Sequence, residues 1–287
     1  MQNKIKYTFS GHESFYCKSL WLKKGYDFVS ADKDFNAPDA VVSLGVGKNM
    51  VASIRYWLRA FGLLGENGTT VIANYLFDNK NGKDPYIEDL GTLWLLHYLL
   101  TKTELASIYK LFFVDFHREK NNEFSRDQLQ IFLKRKNAET DYKHLYNENT
   151  VKRDIGVLLQ NYVMPKQDKP HEDFAALLLN LNLIRQSENE SKMLYFNQRG
   201  KNEIVPEIFL YAIIDEKNDG NIVSFDSLMD LALIFCLSKT ELIDLILLLV
   251  EKYPKTLRFT DDGGIKQLFF LQEINKNEVL EKYYTRQ

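Results

Sequence analysis

The chain has 287 residues, 45% hydrophobic and 26% charged, with a formal net charge of −2. That is the composition of a folded globular protein, and it excludes general disorder, collagen-like repeats and coiled-coil rods. The two cysteines, Cys17 and Cys236, exclude a disulfide framework and a zinc knuckle.

The near-zero charge is a cancellation. Residues 1–169 hold 24 Lys/Arg against 20 Asp/Glu, whereas residues 170–287 hold 13 against 19. A basic part beside an acidic one predicts that the first meets phosphates and the second meets protein or solvent, with chance variation in surface charge as the alternative. The opening MQNKIKYTFSGHESFY has no apolar core of signal-peptide length. The longest apolar stretch, Leu242 to Val250, is broken by Asp244 and falls far short of the ~20 residues a span needs. The expectation is a cytoplasmic protein with no membrane partner.

In chain order, the first clear helix runs from Val46 or Gly47 to Phe61. Its spacing puts Met50, Ile54, Trp57, Leu58 and Phe61 on one face and Lys48, Arg55 and Arg59 on the other. TTVIANYLFDN, β-branched and aromatic between ENG and NKNGKDP, reads as a short hairpin or wing. Asp84-Pro85, with Glu88 and Asp89 following, reads as the capped start of a second helix. Its body LGTLWLLHYLL is apolar nearly all round and predicts a buried scaffold. Ser125 with Gln128 makes a capping box ahead of LQIFLKRK. After a polar stretch, Asn149 or Thr150 is placed to cap VKRDIGVLLQNYV. Helix, turn, then a helix with a basic first turn is the pattern of a helix-turn-helix.

Beyond Pro165, FAALLLNLNLI reads as an apolar helix, MLYFNQRG as a strand and EIFLYAII after Pro206 as a helix. Ser238 with Glu241 caps LIDLILLLVEKY, and TLRFT-DDGG-IKQLFF makes a hairpin on an Asp-Gly turn. The predicted fold is mainly α with small β wings, as tandem winged-helix or helix-turn-helix-like modules. Their expected bounds are 1–84 (basic, with a wing), 85–169 and 170–287 (acidic).

Candidate chemistry is sparse. SLGVGKNM departs from a Walker A loop, with Val42 where the first Gly belongs and Asn49 in place of Ser or Thr, so the hydroxyl for magnesium is missing. The glycines, the helix N-terminus and Lys48, Arg55 and Arg59 instead suit a DNA backbone; a solvated basic face is the bland alternative. His12 and Glu13, beside WLKKGYD, suit proton transfer or metal binding in a nuclease, whereas Ser10 with Glu13 also fits a capping box. His97 reads as a core histidine, and His117, His144 and His171 lack partners at metal-site spacing. Asp27, Asp32, Asp34 and Asp39 read as a solvated loop. Asn149, Thr150, Lys152 and Arg153 begin the second candidate recognition helix, with Asp154 placed to orient Arg153.

FSGHESF, WLKKGYD, LGVGKNMVASIRYWLRAFGLL and DPYIEDLGTLWLLHYLL, in that order, resemble the bacterial family called domain of unknown function 4007, the SspB-like family. The likeness extends through TVKRDIGVLLQNYV. It implies a role in DNA phosphorothioation, an anti-phage modification in which sulfur replaces a non-bridging backbone oxygen. The implied partners are double-stranded DNA, a cysteine desulfurase, an ATPase and a reductase-like protein. The family is described as a DNA-nicking, endonuclease component, so His12 and Glu13 become its candidate catalytic residues. A divalent metal would enter only with nicking, and no other cofactor is evident. Lys23, Lys24, Lys48, Asn49, Arg55 and Arg59 would position phosphate. A non-enzymatic DNA-binding adaptor and a winged-helix transcriptional regulator are the alternatives, and a homo-oligomer stays open.

Overall fold

The computed structural model describes residues 6–120, 123–142, 146–166, 175–188, 190, 192–198, 204–217 and 220–285. His144, His171 and the run 167–170 lie outside them. The chain is mainly helical with small antiparallel sheets, and it divides into two compact units, Met1–Asn197 and Gln198–Gln287. The expected modules 1–84 and 85–169 both fall within the first unit. There Thr8 N–H donates to Ser107 Oγ at 2.9 Å and Cys17 N–H to Asn161 Oδ1 at 3.1 Å.

The first unit opens with α1 (Trp21–Ser30), α2 (Ala40–Leu44) and α3 (Lys48–Ala60). Helices α1 and α3 pack closely because Gly25 leaves room. A Cβ there would lie 2.6 Å from Leu58 Cδ1 and 2.7 Å from Ile54 Cγ2. As the periodicity predicts, α3 buries Ile54, Trp57 and Leu58.

The predicted wing is not a strand pair. Leu64–Gly65 (β1) and Gly68–Thr69 (β2) form a minimal hairpin, and Val71–Phe77 is a helix, α4, capped by Thr70. Ala73, Leu76 and Phe77 are its buried residues. Their helical spacing outweighs the β propensity of Val71 and Ile72.

Helix α5 (Leu90–Lys102) is buried almost all round, as expected, but its cap is Asp89, whose Oδ1 accepts the Thr92 N–H at 3.1 Å. Asp84 is instead a buried clamp one loop earlier, taking the N–H groups of Glu88 and Asp89 at 2.9 and 3.0 Å. Helix α6 (Ser107–Lys110) runs into a π-helical turn, Leu111–Phe116, and α7 (His117–Glu119). Phe112, Phe113, Phe116, Phe124 and Phe196 interlock there as one aromatic core. His97, with Nδ1 2.8 Å from the Tyr162 hydroxyl, is a satisfied core histidine.

Helix α8 (Arg126–Ala138) has the predicted capping box. Helix α9 (Glu148–Tyr162) starts earlier than predicted, capped by Asn147, whose Oδ1 accepts the Thr150 N–H at 3.0 Å. Among the described residues, the expected apolar helix beginning at 174 is not α-helical; Leu179–Leu181 is a 3-10 turn, followed by β3 (Ile184–Gln186) paired with β4 (Leu194–Phe196). Helix formation loses there because the backbone is used laterally. Ser19 N–H donates to Ala175 O and Leu177 N–H to Cys17 O, both at 2.9 Å.

The second unit runs α10 (Pro206–Glu216), β5 (Ile222–Ser224), α11 (Phe225–Ile234), α12 (Lys239–Lys252), β6 (Leu257–Asp262), β7 (Ile265–Phe270) and α13 (Lys276–Tyr284). Pro206 begins α10, Ser238 and Glu241 form the predicted capping box on α12, and the sheet order is β5-β7-β6, all antiparallel. The β6–β7 turn is Gly263-Gly264, with φ of 60° and 84°, the double left-handed geometry that favours glycine.

Candidate nucleic-acid interface

The FSGHESF segment is a loop, so the Ser10–Glu13 capping box does not form. Ser10, Gly11, Glu13 and Ser14 have φ of 80°, 106°, 49° and 64°. Left-handed geometry costs a non-glycine residue about 1–2 kcal/mol, so the surroundings must impose it. Asp154, on the inner side of α9, supplies the clamp. Its two oxygens accept the Ser10 N–H at 3.1 and 2.9 Å, and its Oδ1 also lies 2.9 Å from His12 Nε2. Gly11 lies against Tyr56 of α3, where a Cβ would stand 2.6 Å from the ring. Trp57 Nε1–H closes the loop onto α3 by donating to Phe15 O at 3.2 Å.

His12 is 5% exposed. Its Nδ1 accepts the Ser14 N–H at 3.0 Å, which assigns the ring proton to Nε2 and directs it at Asp154. Both ring nitrogens are therefore committed within the fold. Asp154 is buried and points to the loop rather than orienting Arg153. Glu13 is exposed beside it.

Burial, and then the Asp154 charge, pushes the Tyr56 hydroxyl well above its ordinary range. A raised folded-state value means the unfolded chain loses this proton first, so stability is full below about pH 10 and falls above it. Alkaline unfolding of Tyr56→Phe should accordingly fall less steeply with pH than that of the unaltered protein. Identical slopes would remove Tyr56 from the account.

Lys48, Asn49 and Arg59 are exposed on α3, Arg55 is half-buried, and Lys48, Ala52, Arg55 and Arg59 share one outward face with no acid among them. Arg55 Nη1 donates to Asn36 Oδ1 at 3.0 Å, which brings the loop carrying Asp34 alongside. The first turn of α3, with Gly47 as its cap residue, receives no side-chain cap.

The two lysines of α1 differ. Lys24 is exposed and donates to Leu44 O at 3.0 Å. Lys23 is 5% exposed, and its ammonium donates to Asn79 Oδ1 at 2.6 Å and pairs with Asp27. It belongs to the packing of α1.

On α9, Asn149, Lys152 and Arg153 are exposed and Thr150 is half-buried. Lys152 pairs with Glu148 at 2.8 Å, which raises the ammonium and lowers the carboxyl from their ordinary values. Sequence reasoning passed over Gly156 and Gln160, although 149, 153, 156 and 160 follow one helical face. Loop and clamp thus tie α3 to α9.

The family described as "Protein of unknown function (DUF4007)" matches residues 9–284. The chain belongs to this family. Two solved chains share its fold, a magnesium ion-bound SspB crystal structure and a further SspB crystal structure, with TM-scores of 0.84 and 0.83. Each is 24% identical in sequence, and each match covers 98% of this chain and 89% of the other. No curated protein matches the sequence. Among the described residues, no helix is long and apolar enough to cross a membrane.

Proposed function

We propose that this DUF4007 protein is the DNA-binding component of a DNA-backbone phosphorothioation system. The observation that carries the reading is the outward face of α3, where Lys48, Arg55 and Arg59 line up without an intervening acid. Cations at such spacing match a row of phosphates and bind with strong salt dependence. The fold shared with SspB structures and the family membership support the pathway.

The topology of the second unit supports a winged-helix reading, with α12 where a recognition helix would lie. Its exposed face carries Asp244, Leu247, Leu248 and Glu251. The acids repel phosphate and the exposed leucines suit a protein surface, so this unit would contact the sulfur-transfer partners. The pair α8–α9 would form the helix-turn-helix.

Nicking is the second reading. A divalent metal has no evident donor set, since no group of three His, Cys, Asp or Glu side chains able to hold one occurs among the described residues. No step is therefore assigned to a metal. His12 would position the loop, and Glu13 would be the exposed carboxylate beside the DNA. The test is incubation with supercoiled plasmid and added magnesium, alongside gel shifts on mixed-sequence duplexes. DNA retention without relaxed circles means an adaptor, relaxed circles mean a nickase, and preference for one operator sequence means a regulator. No retention at any salt concentration ends the DNA-binding reading.

A further inference from the structure

Gly156 is a mid-helix glycine with no packing role among the described residues. It lies within the 15-residue helix α9, and a Cβ added there would meet nothing within 4 Å. Glycine in a helix interior costs stability relative to alanine, and nothing in the surrounding packing offsets that cost. Gly25 is the contrast, since a side chain there would collide with Leu58 and Ile54.

The face around Gly156 has a definite chemistry. Asn149, Lys152, Arg153 and Gln160 surround it and are exposed, and between them the described outward face of α9 carries no large apolar side chain; the exposed Ile131 of α8 and Met164 just past α9 lie at its margins. A protein partner of ordinary affinity takes its apolar or aromatic anchor at the centre of the contact, and the centre of this face is amide, guanidinium and glycine. Amides and a guanidinium are the groups that pair with base edges, Asn or Gln with adenine and Arg with guanine. Arg153 has no ion-pair partner among the described residues, and the preceding helix adds exposed Arg126 and Lys134 against one exposed acid, Asp127, which faces Lys152. Glu148 is the acid on this end of α9, and it is engaged by Lys152 and by Gln130 at 3.1 Å.

We infer that α9 enters the major groove of duplex DNA with Gly156 at the point of closest approach, and that Asn149, Arg153 and Gln160 read base edges on either side of it. Residues 149 to 160 span about 16 Å of helix, enough to cross several base pairs. A missing side chain at the crest lets the helix backbone settle nearer the groove floor, within reach of those shorter amides. The inference rests on the DNA-binding reading above, yet it assigns base recognition to α9 rather than to the phosphate-facing α3.

The experiment compares the full chain with Gly156→Ala, Gly156→Leu and Arg153→Lys on a randomised pool of short duplexes, followed by affinity measurements on the enriched sequence and thermal unfolding. Gly156→Ala should raise the melting temperature by about 2–4 °C while weakening binding about tenfold. Leucine, also a good helix former, should keep the fold and weaken binding further. Arg153→Lys should hold the salt dependence and lose sequence enrichment. A folded Gly156→Leu with unchanged affinity, where the unaltered protein binds, overturns this inference and leaves the DNA-binding reading standing. Unchanged affinity with a shift in sedimentation mass assigns the face to a protein contact instead. An unaltered protein that binds no duplex overturns both.

Discussion

Replacing Asp154 with alanine is expected to destabilise the first unit by about 3 kcal/mol, the net of two opposing effects. Two donors, the part-buried Ser10 N–H and the buried His12 Nε2–H, lose their acceptor. Each buried donor left unpaired costs about 1–3 kcal/mol. Against this, the loop is freed from left-handed geometry at Ser10, Glu13 and Ser14, which returns part of the loss. At about 2–4 °C per kcal/mol for a unit of this size, the melting temperature should fall by roughly 6–12 °C. Asp154→Asn should fall between, because the amide oxygen serves one donor while its NH2 opposes the other. Calorimetry of both variants checks the order. If the loss in His12→Ala plus Asp154→Ala equals the sum of the single losses, the two side chains are not coupled and the clamp is misassigned.

That clamp also marks the limit of what the sequence showed. Helix starts written in adjacent residues were legible: Ser125 with Gln128 and Ser238 with Glu241 are both formed. The β6–β7 hairpin and the all-round apolar α5 were legible for the same reason, since their causes are local, although the turn is Gly263-Gly264 and not the expected Asp-Gly pair, because Asp262 still pairs with Ile265. Where two local signals competed, the choice needed tertiary context. Val71–Phe77 carries strand-forming residues on a helical spacing, and burial of Ala73, Leu76 and Phe77 decided for the helix. Asp84 was expected as the cap with Asp89 in the first turn, but Asp84 is drawn into its own loop and Asp89 caps the helix.

The site was less legible than the fold. Ser10 and Glu13 spell a capping box, but their conformation is set by Asp154, 142 residues beyond His12. Lys23 counts as a cation in sequence and is spent on Asp27 and Asn79 in the fold. Gly156 and Gln160 were readable from spacing alone, and only the open space around Gly156 shows why they matter.

The salt dependence of DNA binding separates a phosphate-contacting α3 from a merely solvated one. Each phosphate contact contributes about 0.9 to the slope of log K against log salt, so losing two should reduce its magnitude by nearly 2. Lys48→Glu/Arg59→Glu is therefore expected to flatten the slope by that amount and to weaken binding at low salt by at least about a hundredfold. Both side chains are exposed and on the outward face, so the fold should survive the double change within about 1 kcal/mol. Arg55→Glu should do less to the slope, because its guanidinium is half-buried and already shared with Asn36. Lys23→Glu should behave as a folding variant, since it puts a carboxylate in the buried place of the ammonium that bonds Asp27 and Asn79. The predicted order in slope is thus Lys48 and Arg59 first, Arg55 next, with Lys23 reporting on unfolding alone. A folded Lys48→Glu/Arg59→Glu protein with unchanged slope would remove α3 from the interface, and with it the observation on which the DNA-binding reading rests.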